Sequence, residues 1–334
     1  MPTELKEQNT LQQSIFNAVI NQHSSKSEAV DALVKLLAIG KSSLYRKINN
    51  QSSLKPNEIV LIAEQYNFSL DEMIYGSNNR YLFNHVSGLF DFLNNEYAAS
   101  IHNLQAIAAQ KGQATIHYSG AEFPIFHLCH YPEIIHFKKC MMSRINQPNS
   151  ATKYQLINFD EITRQEREFY LEIAQLYEQL PSVELWDSLA LAPIIEQIRY
   201  SYEIGILEAD DVEMLIGLLN RLLNRLEKML QNGSKSFDAD NRNFEAYHNL
   251  IPSANWIYIV KGPSIQFVQS VLDSPNVLSS SSLRLVDSVL EGFQAYRRQS
   301  QLISAAGEIQ RNQLFNNYRQ YLDRFSRRFE DMAF

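Results

Sequence analysis

A short segment near the N-terminus carries side chains suited to hydrogen bonding with nucleic-acid bases. Within residues 41–49, Leu44 and Ile48 are apolar and four residues apart, so on a helix they share one face. At about 100° per residue, the opposite side of that helix carries polar and aromatic side chains. They are Arg46 at the centre, Ser42 and Asn49 beside it, and Ser43 and Tyr45 at the flanks. Arginine can bind guanine and asparagine can bind adenine through paired hydrogen bonds, so the segment predicts base contacts in a major groove.

The same region is locally basic although the chain is acidic. The 334 residues carry a formal net charge of −7, which by itself disfavours contact with phosphates. Between Ala32 and Asn57, however, there is no acidic residue. The five basic residues of that window are Lys35, Lys41, Arg46, Lys47 and Lys55. Because local charge decides nucleic-acid binding, we expect Lys41, Lys47 and Lys55 to hold phosphates.

Capping and turn residues place this segment on the second of two helices joined by a tight turn. Ser25-Lys26-Ser27-Glu28 has the pattern of a capping box, which begins a helix. That helix stops near Gly40, which can take a positive φ or the cap position of the next helix. With a helix from Leu11, another from Pro56 and a short one at 69–75, the pattern predicts five helices within residues 11–76. A disordered tail at 1–10 and a linker at 77–80 are expected around them.

Residues 26–74 resemble the Xre/Cro type of phage-repressor-like DNA-binding domain. The segments that carry the resemblance are 37–48, Leu-Ala-Ile-Gly-Lys-Ser-Ser-Leu-Tyr-Arg-Lys-Ile, and 63–74, which ends in Ser-Leu-Asp-Glu-Met-Ile. The chain departs from the family at Gly40, where a serine or threonine cap is usual. The resemblance implies a helix-turn-helix domain whose recognition helix follows Gly40, and modules of this type bind paired DNA half-sites as dimers.

The remaining residues, 81–334, are predicted to be rich in helix. Helical periodicity fits 82–110, 164–180, 184–203, 210–231, 282–297 and 307–329, and strand patterns fit 113–118, 255–260 and 265–272. The predicted fold is therefore mainly α: a five-helix helix-turn-helix domain followed by a larger α-rich α+β dimerisation and effector domain with a small sheet. A sub-boundary is expected near 232–243.

Five potential metal ligands fall within fourteen residues: His127, Cys129, His130, His136 and Cys140. Their spacing matches no standard zinc pattern, so we predict no metal and no cofactor. Nearby aromatic side chains fit a core or a ligand pocket, and composition favours the core. The pocket hypothesis names Tyr118, Phe126, His130 and Tyr131.

Catalytic motifs are missing from the sequence. It has no Gly-rich phosphate loop, no Gly-x-Ser-x-Gly and no His-Glu-x-x-His, so we predict that the chain is not an enzyme. The amphipathic helix at 210–231 fits either packing within its own domain or dimerisation. Five arginines between 311 and 328 favour a solvated basic face, with a second phosphate contact as the alternative.

These patterns together predict a cytoplasmic transcriptional regulator that binds double-stranded DNA as a homodimer and responds to a small-molecule effector. The alternative is a DNA-anchored hub whose helical region binds protein partners. We expect no membrane contact, because no stretch reaches eighteen uninterrupted apolar residues. Two cysteines make no disulfide framework, which favours a reducing compartment.

Overall fold

The computed structural model describes residues 11–23, 25–66, 68, 70, 73, 81, 83–86, 97–146, 155–236, 242–251, 256–273 and 276–333. The chain divides into two compact units, Met1–Leu82 and Phe83–Phe334, and each is described by itself. The predicted tail at 1–10 and the predicted linker at 77–80 lie outside the described residues.

The first unit contains four helices whose bounds the structure gives: α1 (Leu11–Ile20), α2 (Lys26–Leu37), α3 (Lys41–Ile48) and α4 (Pro56–Tyr66). One apolar core joins them, formed by Ile15, Phe16, Val19, Ala29, Val30, Leu33, Leu44, Leu54 and Ile62. Most of the predicted fifth helix falls outside the described residues. Its two described members, Leu70 and Met73, pack against this core.

A three-residue turn joins α2 to α3. The Ser25 hydroxyl accepts a hydrogen bond from the Glu28 amide (3.2 Å) and so caps the start of α2. At the end of α2, Ala38 has φ 49° and ψ 43°, which is the left-handed region. Gly40 has φ −70° and ψ 152° and is the N-cap of α3. Of the two roles expected for Gly40, the structure therefore shows the cap, while the left-handed conformation belongs to Ala38.

Eight strands among the described residues of the second unit form one mixed sheet. They are β1 (Asn84–Val86), β2 (Thr115–Gly120), β3 (Ser182–Asp187), β4 (Phe244–Asn249), β5 (Ile257–Lys261), β6 (Gln266–Asp273), β7 (Asn276–Ser280) and β8 (Gln301–Leu302). Their order is β1-β7-β6-β5-β2-β3-β4-β8. Strands β2, β3 and β4 run parallel, and every other pairing is antiparallel.

Helices cover both faces of this sheet. They are α5 (Tyr97–Ala108), α6 (Ile125–Leu128), α7 (Pro132–Asn146), α8 (Arg164–Gln179), α9 (Ala192–Glu203), α10 (Ala209–Asn232), α11 (Leu283–Gln299) and α12 (Glu308–Ala333). Along β5, Ile259 packs beneath α11, whereas Tyr258 and Val260 join the larger core on the other face. The unit is thus a mixed α/β structure, as the two long crossovers between parallel strands require.

Two predicted helices, 82–110 and 184–203, start too early, while their later parts are confirmed as α5 and α9. Residues 84–86 form β1 where a helix over 82–110 was predicted, and residues 184–187 belong to β3 rather than to a helix over 184–203. Strands β4, β7 and β8 were not predicted, so the sheet is larger than expected. The helices predicted at 164–180, 210–231, 282–297 and 307–329 and the strands near 113–118, 255–260 and 265–272 are confirmed within a few residues.

The apolar face of α10 lies inside the second unit. Ten of its residues are buried, and they belong to the main core of the unit. Gly233, with φ 64°, ends the helix in a conformation that favours glycine. Of the two interpretations of this helix, the structure shows internal packing. No helix in the described part of the chain combines the length and apolar character needed to cross a bilayer.

Candidate nucleic-acid interface

Helix α3 presents a polar face to solvent. Leu44 is fully buried and Ile48 is partly buried, which fixes the inward side of the helix. The residues predicted to contact bases are all exposed: Ser42, Ser43, Tyr45, Arg46 and Asn49. A helix with one buried apolar edge and several exposed donors and acceptors has the form needed to read base edges.

The backbone of Arg46 is held while its side chain stays free. Its carbonyl oxygen accepts hydrogen bonds from the amides of Gln51 (2.7 Å) and Ser52 (3.2 Å). Its guanidinium makes no ion pair among the described residues. The helix end is therefore closed by the following turn, and the arginine side chain remains available for a ligand.

Lys47 does not lie on the exposed face of α3. It is 6% exposed, and its ammonium donates to the Ser53 carbonyl (2.7 Å) and to a Glu58 carboxylate oxygen (3.0 Å). The same carboxylate oxygen accepts the Lys55 amide (2.6 Å). Partial burial raises the pKa of Glu58, but these hydrogen bonds outweigh it and lower the pKa below its usual value. Lys47 ties α3 to α4, and the predicted phosphate contact at this residue is replaced by an internal ion pair.

The other basic residues of the segment differ in their partners. Lys41 is exposed and lies 2.6 Å from an Asp31 oxygen, and this hydrogen bond raises its pKa. Lys35 and Lys55 are exposed and form no ion pair within the described part of the chain, although the charge of Lys55 helps to lower the pKa of Glu58. Arg46 and Lys55 therefore remain the unpaired positive charges among the residues predicted to contact DNA.

Gln12 of α1 holds the turn between α3 and α4, a role that sequence reasoning missed. Its side-chain nitrogen donates to the carbonyls of Lys47 (2.6 Å) and Ser52 (3.0 Å) and to the Asn50 side chain (3.2 Å). Its side-chain oxygen accepts the Leu54 amide (2.7 Å). A glutamine in a helical pattern is usually read as a solvent-facing residue, so the sequence gives no signal for this clamp.

Comparison with known proteins gives no evidence on the function of this chain. No family model, no curated protein and no solved structure matches this chain. Evidence for a function therefore comes from the arrangement of the residues themselves.

The predicted ligand-pocket residues of the second unit pack in or against its core, and none of them lines the three cavities near Arg324, Ser188 and Asp287. Tyr118 is 2% exposed and donates to the Glu122 carbonyl (2.6 Å). Phe126 stacks on Tyr177 with ring centroids 4.6 Å apart. His130 Nε2 lies 2.8 Å from a Glu178 oxygen, and Tyr131 packs partly buried against the same core. These four side chains therefore pack in or against the core or form an ion pair, which is the arrangement that composition favoured over a ligand pocket.

The potential metal ligands are likewise dispersed. His127 pairs with Glu184, Cys129 is buried, and burial raises the pKa of its thiol. His136 Nε2 lies 3.5 Å from the sulfur of Cys140. The described residues contain no group of three or more His, Cys, Asp or Glu placed to hold a metal.

A buried polar cluster surrounds Glu184 on β3. Its carboxylate accepts hydrogen bonds from the Tyr177 hydroxyl (2.7 Å), the Ser182 hydroxyl (3.0 Å) and the Trp186 indole (2.9 Å). Burial raises its pKa, but the charge and hydrogen bond of His127, the charge of Lys235 and the hydrogen bond from Tyr177 lower the pKa to about 2. Lys235 is also fully buried, donates to the Ser182 hydroxyl (2.8 Å), and has a pKa lowered by burial to about 7. The cluster joins β3 to its neighbouring helices, and no described cavity opens onto it.

Proposed function

We propose that the chain is a sequence-specific DNA-binding transcriptional regulator that inserts α3 into the major groove. The observation that carries the proposal is the exposed face of α3, where Arg46, Ser42 and Asn49 lie opposite the buried Leu44. Arginine, serine and asparagine are side chains that read base edges. The resemblance of residues 26–74 to repressor-type modules supports the same assignment.

Local charge supports the proposal. Residues 11–66 carry six basic and four acidic side chains, whereas the whole chain has a net charge of −7. At physiological ionic strength, charges further apart than about 8 Å are largely screened, so DNA held against α3 responds mainly to nearby side chains. In this proposal the first unit binds DNA as a homodimer on paired half-sites, and the second unit supplies dimerisation and effector binding.

The experiment is fluorescence anisotropy with a selected high-affinity DNA fragment and an unrelated fragment of the same length. Arg46→Ala is expected to weaken binding to the selected fragment by about 1–3 kcal/mol and to leave binding to the unrelated fragment nearly unchanged. Arg164→Ala is the matched control, because that side chain is 91% exposed and belongs to the second unit. If Arg46→Ala bound each of the two fragments with the same affinity as the parent, α3 would not be the helix that reads the DNA sequence.

A further inference from the structure

A groove runs between α9 and α12 in the second unit. Two adjoining cavities of about 280 Å³ and 180 Å³ share Tyr321 and Arg324 in their walls. The first is lined mainly by apolar and aromatic side chains: Ile195, Tyr202, Phe325 and Phe329. The second continues past Leu189, Leu191 and Ala192 at the start of α9. The groove thus offers a continuous apolar wall beside an arginine.

Positive charge dominates the groove. Its charged lining consists of Arg199, Arg324, Arg328 and Glu196. The Glu196 carboxylate already accepts hydrogen bonds from Arg199 Nε (2.9 Å) and from the Tyr321 hydroxyl (2.9 Å). Arg199 also donates to Glu203 (2.6 Å), so its charge is compensated within α9.

Of the remaining two arginines, Arg328 helps to lower the pKa of the Glu196 carboxyl through its charge, without forming an ion pair with a described residue. Arg324 donates Nε to the Gln320 carbonyl (3.2 Å) and lies 5.8 Å from the centroid of the Tyr321 ring. Neither Arg324 nor Arg328 forms an ion pair within the described part of the chain, and both are exposed. The two residues are four apart on α12, so their side chains lie on one face. An anion placed there meets two guanidiniums that form no ion pair with the described residues.

We propose that this groove binds a small amphipathic carboxylate, such as a medium-chain fatty acid. The carboxylate pairs with Arg324 and Arg328, since guanidinium binds carboxylate through parallel hydrogen bonds. The alkyl chain lies along Ile195, Phe325 and Phe329. Only the two adjoining cavities taken together reach the volume range of small-molecule sites, which begins at about 300 Å³.

This proposal goes beyond DNA binding and concerns the second unit by itself. If octanoate does not bind, the proposal that α3 binds DNA is unaffected. If DNA does not bind, the proposal for the groove is unaffected. If both hold, a change in DNA affinity on adding octanoate would make the groove the effector site of the regulator.

Isothermal titration of the full chain with octanoate and with 1-octanol tests the proposal. Octanoate is expected to bind more tightly than the uncharged alcohol of the same length. The double substitution Arg324→Ala/Arg328→Ala should weaken octanoate binding by about tenfold or more and remove the preference over octanol. Phe325→Ala should weaken both ligands. Arg327 is an exposed arginine of the same helix and does not line this cavity. The control variant Arg327→Ala should therefore bind octanoate as the parent does.

Three outcomes would overturn the proposal. One is equal affinity for octanoate and octanol, and another is a double variant that binds octanoate as the parent does. The third is absence of octanoate binding together with a dimer, seen by sedimentation, that the double variant loses. In that case the groove receives a second copy of the chain. Thermal unfolding of each variant checks that the fold is retained.

Discussion

The ammonium of Lys47 is surrounded by protein, and this decides what the residue does. Its acceptors are the Ser53 carbonyl and the Glu58 carboxylate, and the pair with Glu58 is mostly shielded from water. Removing one partner of a shielded ion pair leaves the other charge poorly solvated. We predict that Lys47→Ala lowers the free energy of unfolding by about 1–3 kcal/mol, between the ranges for exposed and buried pairs. Urea denaturation measures the change.

Lys41→Ala is the comparison for this prediction. Lys41 and Asp31 are both exposed, so their ion pair is screened by water and its loss should change stability little. If Lys47→Ala unfolded at the same urea concentration as Lys41→Ala, the internal ion pair would not be stabilising the first unit.

Burial of His117 should make the stability of the second unit depend on pH. The side chain lies on β2 beneath α11, with its ring 5.2 Å from that of Phe293. Burial lowers its pKa from 6.5 to about 4. Below pH 6.5 the unfolded chain therefore binds a proton that the folded chain excludes until about pH 4. Stability is lost as the pH falls through this window, by about 2 kcal/mol between pH 7 and pH 5.

Denaturation of parent and His117→Leu at pH 7 and pH 5 checks this expectation. The variant should lose distinctly less stability on acidification. Some dependence should remain, because burial also lowers the pKa of His136 and His248. If His117→Leu lost as much stability between pH 7 and pH 5 as the parent does, His117 would be protonated in the folded protein at pH 5.

Charge at individual residues could be predicted only in part. The acid-free window between Ala32 and Asn57 correctly marked a basic segment, but Asp31 and Glu58 lie directly outside it and fold back onto Lys41 and Lys47. A window along the chain cannot show such pairs, because helix packing creates them. The periodicity of Leu44 and Ile48, in contrast, was enough to predict which side of α3 is exposed.

The turn between α2 and α3 stores strain at Ala38. A left-handed conformation costs an L-residue with a β-carbon about 1–2 kcal/mol relative to glycine, and Ala38 has φ 49°. We predict that Ala38→Gly raises the melting temperature of the first unit by removing part of this penalty, offset by the greater chain entropy of glycine when unfolded. Differential scanning calorimetry measures the melting temperatures of parent and variant.

Gly40→Ala is the control for the turn. Gly40 has a negative φ, and a β-carbon built on it meets no atom within 4 Å. The added methyl group should therefore fit without strain. A melting temperature that falls in Ala38→Gly would contradict the left-handed conformation at Ala38.

Helices and strands could be predicted where apolar residues repeat with a single helical or strand period. They could not be predicted where strands are short or have both faces buried. The helices α8, α10, α11 and α12 follow from their apolar spacing. Strand β3 was missed because all six of its residues are buried and two of them, Glu184 and Asp187, are charged. The partners that make a buried glutamate tolerable, such as His127 and Lys235, are distant in sequence and meet only in the fold. Polar and apolar residues alternate only over residues 182–185 and the strand has no apolar run, so its pattern is too short to distinguish it from a helix.

At the scale of the whole molecule, the distribution of charge matters more than its sum. The first unit has a slight excess of positive charge between residues 11 and 66, so the acidic excess lies in the rest of the chain. Because salt screens charges that lie further than about 8 Å from the phosphates, the affinity for DNA should follow the number of lysines and arginines that reach phosphates. That number appears as the slope of log affinity against log salt concentration.

Lys55→Gln tests this relation on the intact protein. Lys55 is exposed and forms no ion pair among the described residues, so its loss should remove one phosphate contact for each bound copy. We predict that the salt slope becomes shallower by about 0.9 per copy, with a similar reduction in affinity for every DNA sequence. Lys111→Gln makes the same charge change at an exposed residue of the second unit and should leave the slope as it is. Equal slopes for Lys55→Gln and Lys111→Gln would mean that net charge, and not the surface around α3, governs the interaction. Affinity would then respond to any lysine of the chain.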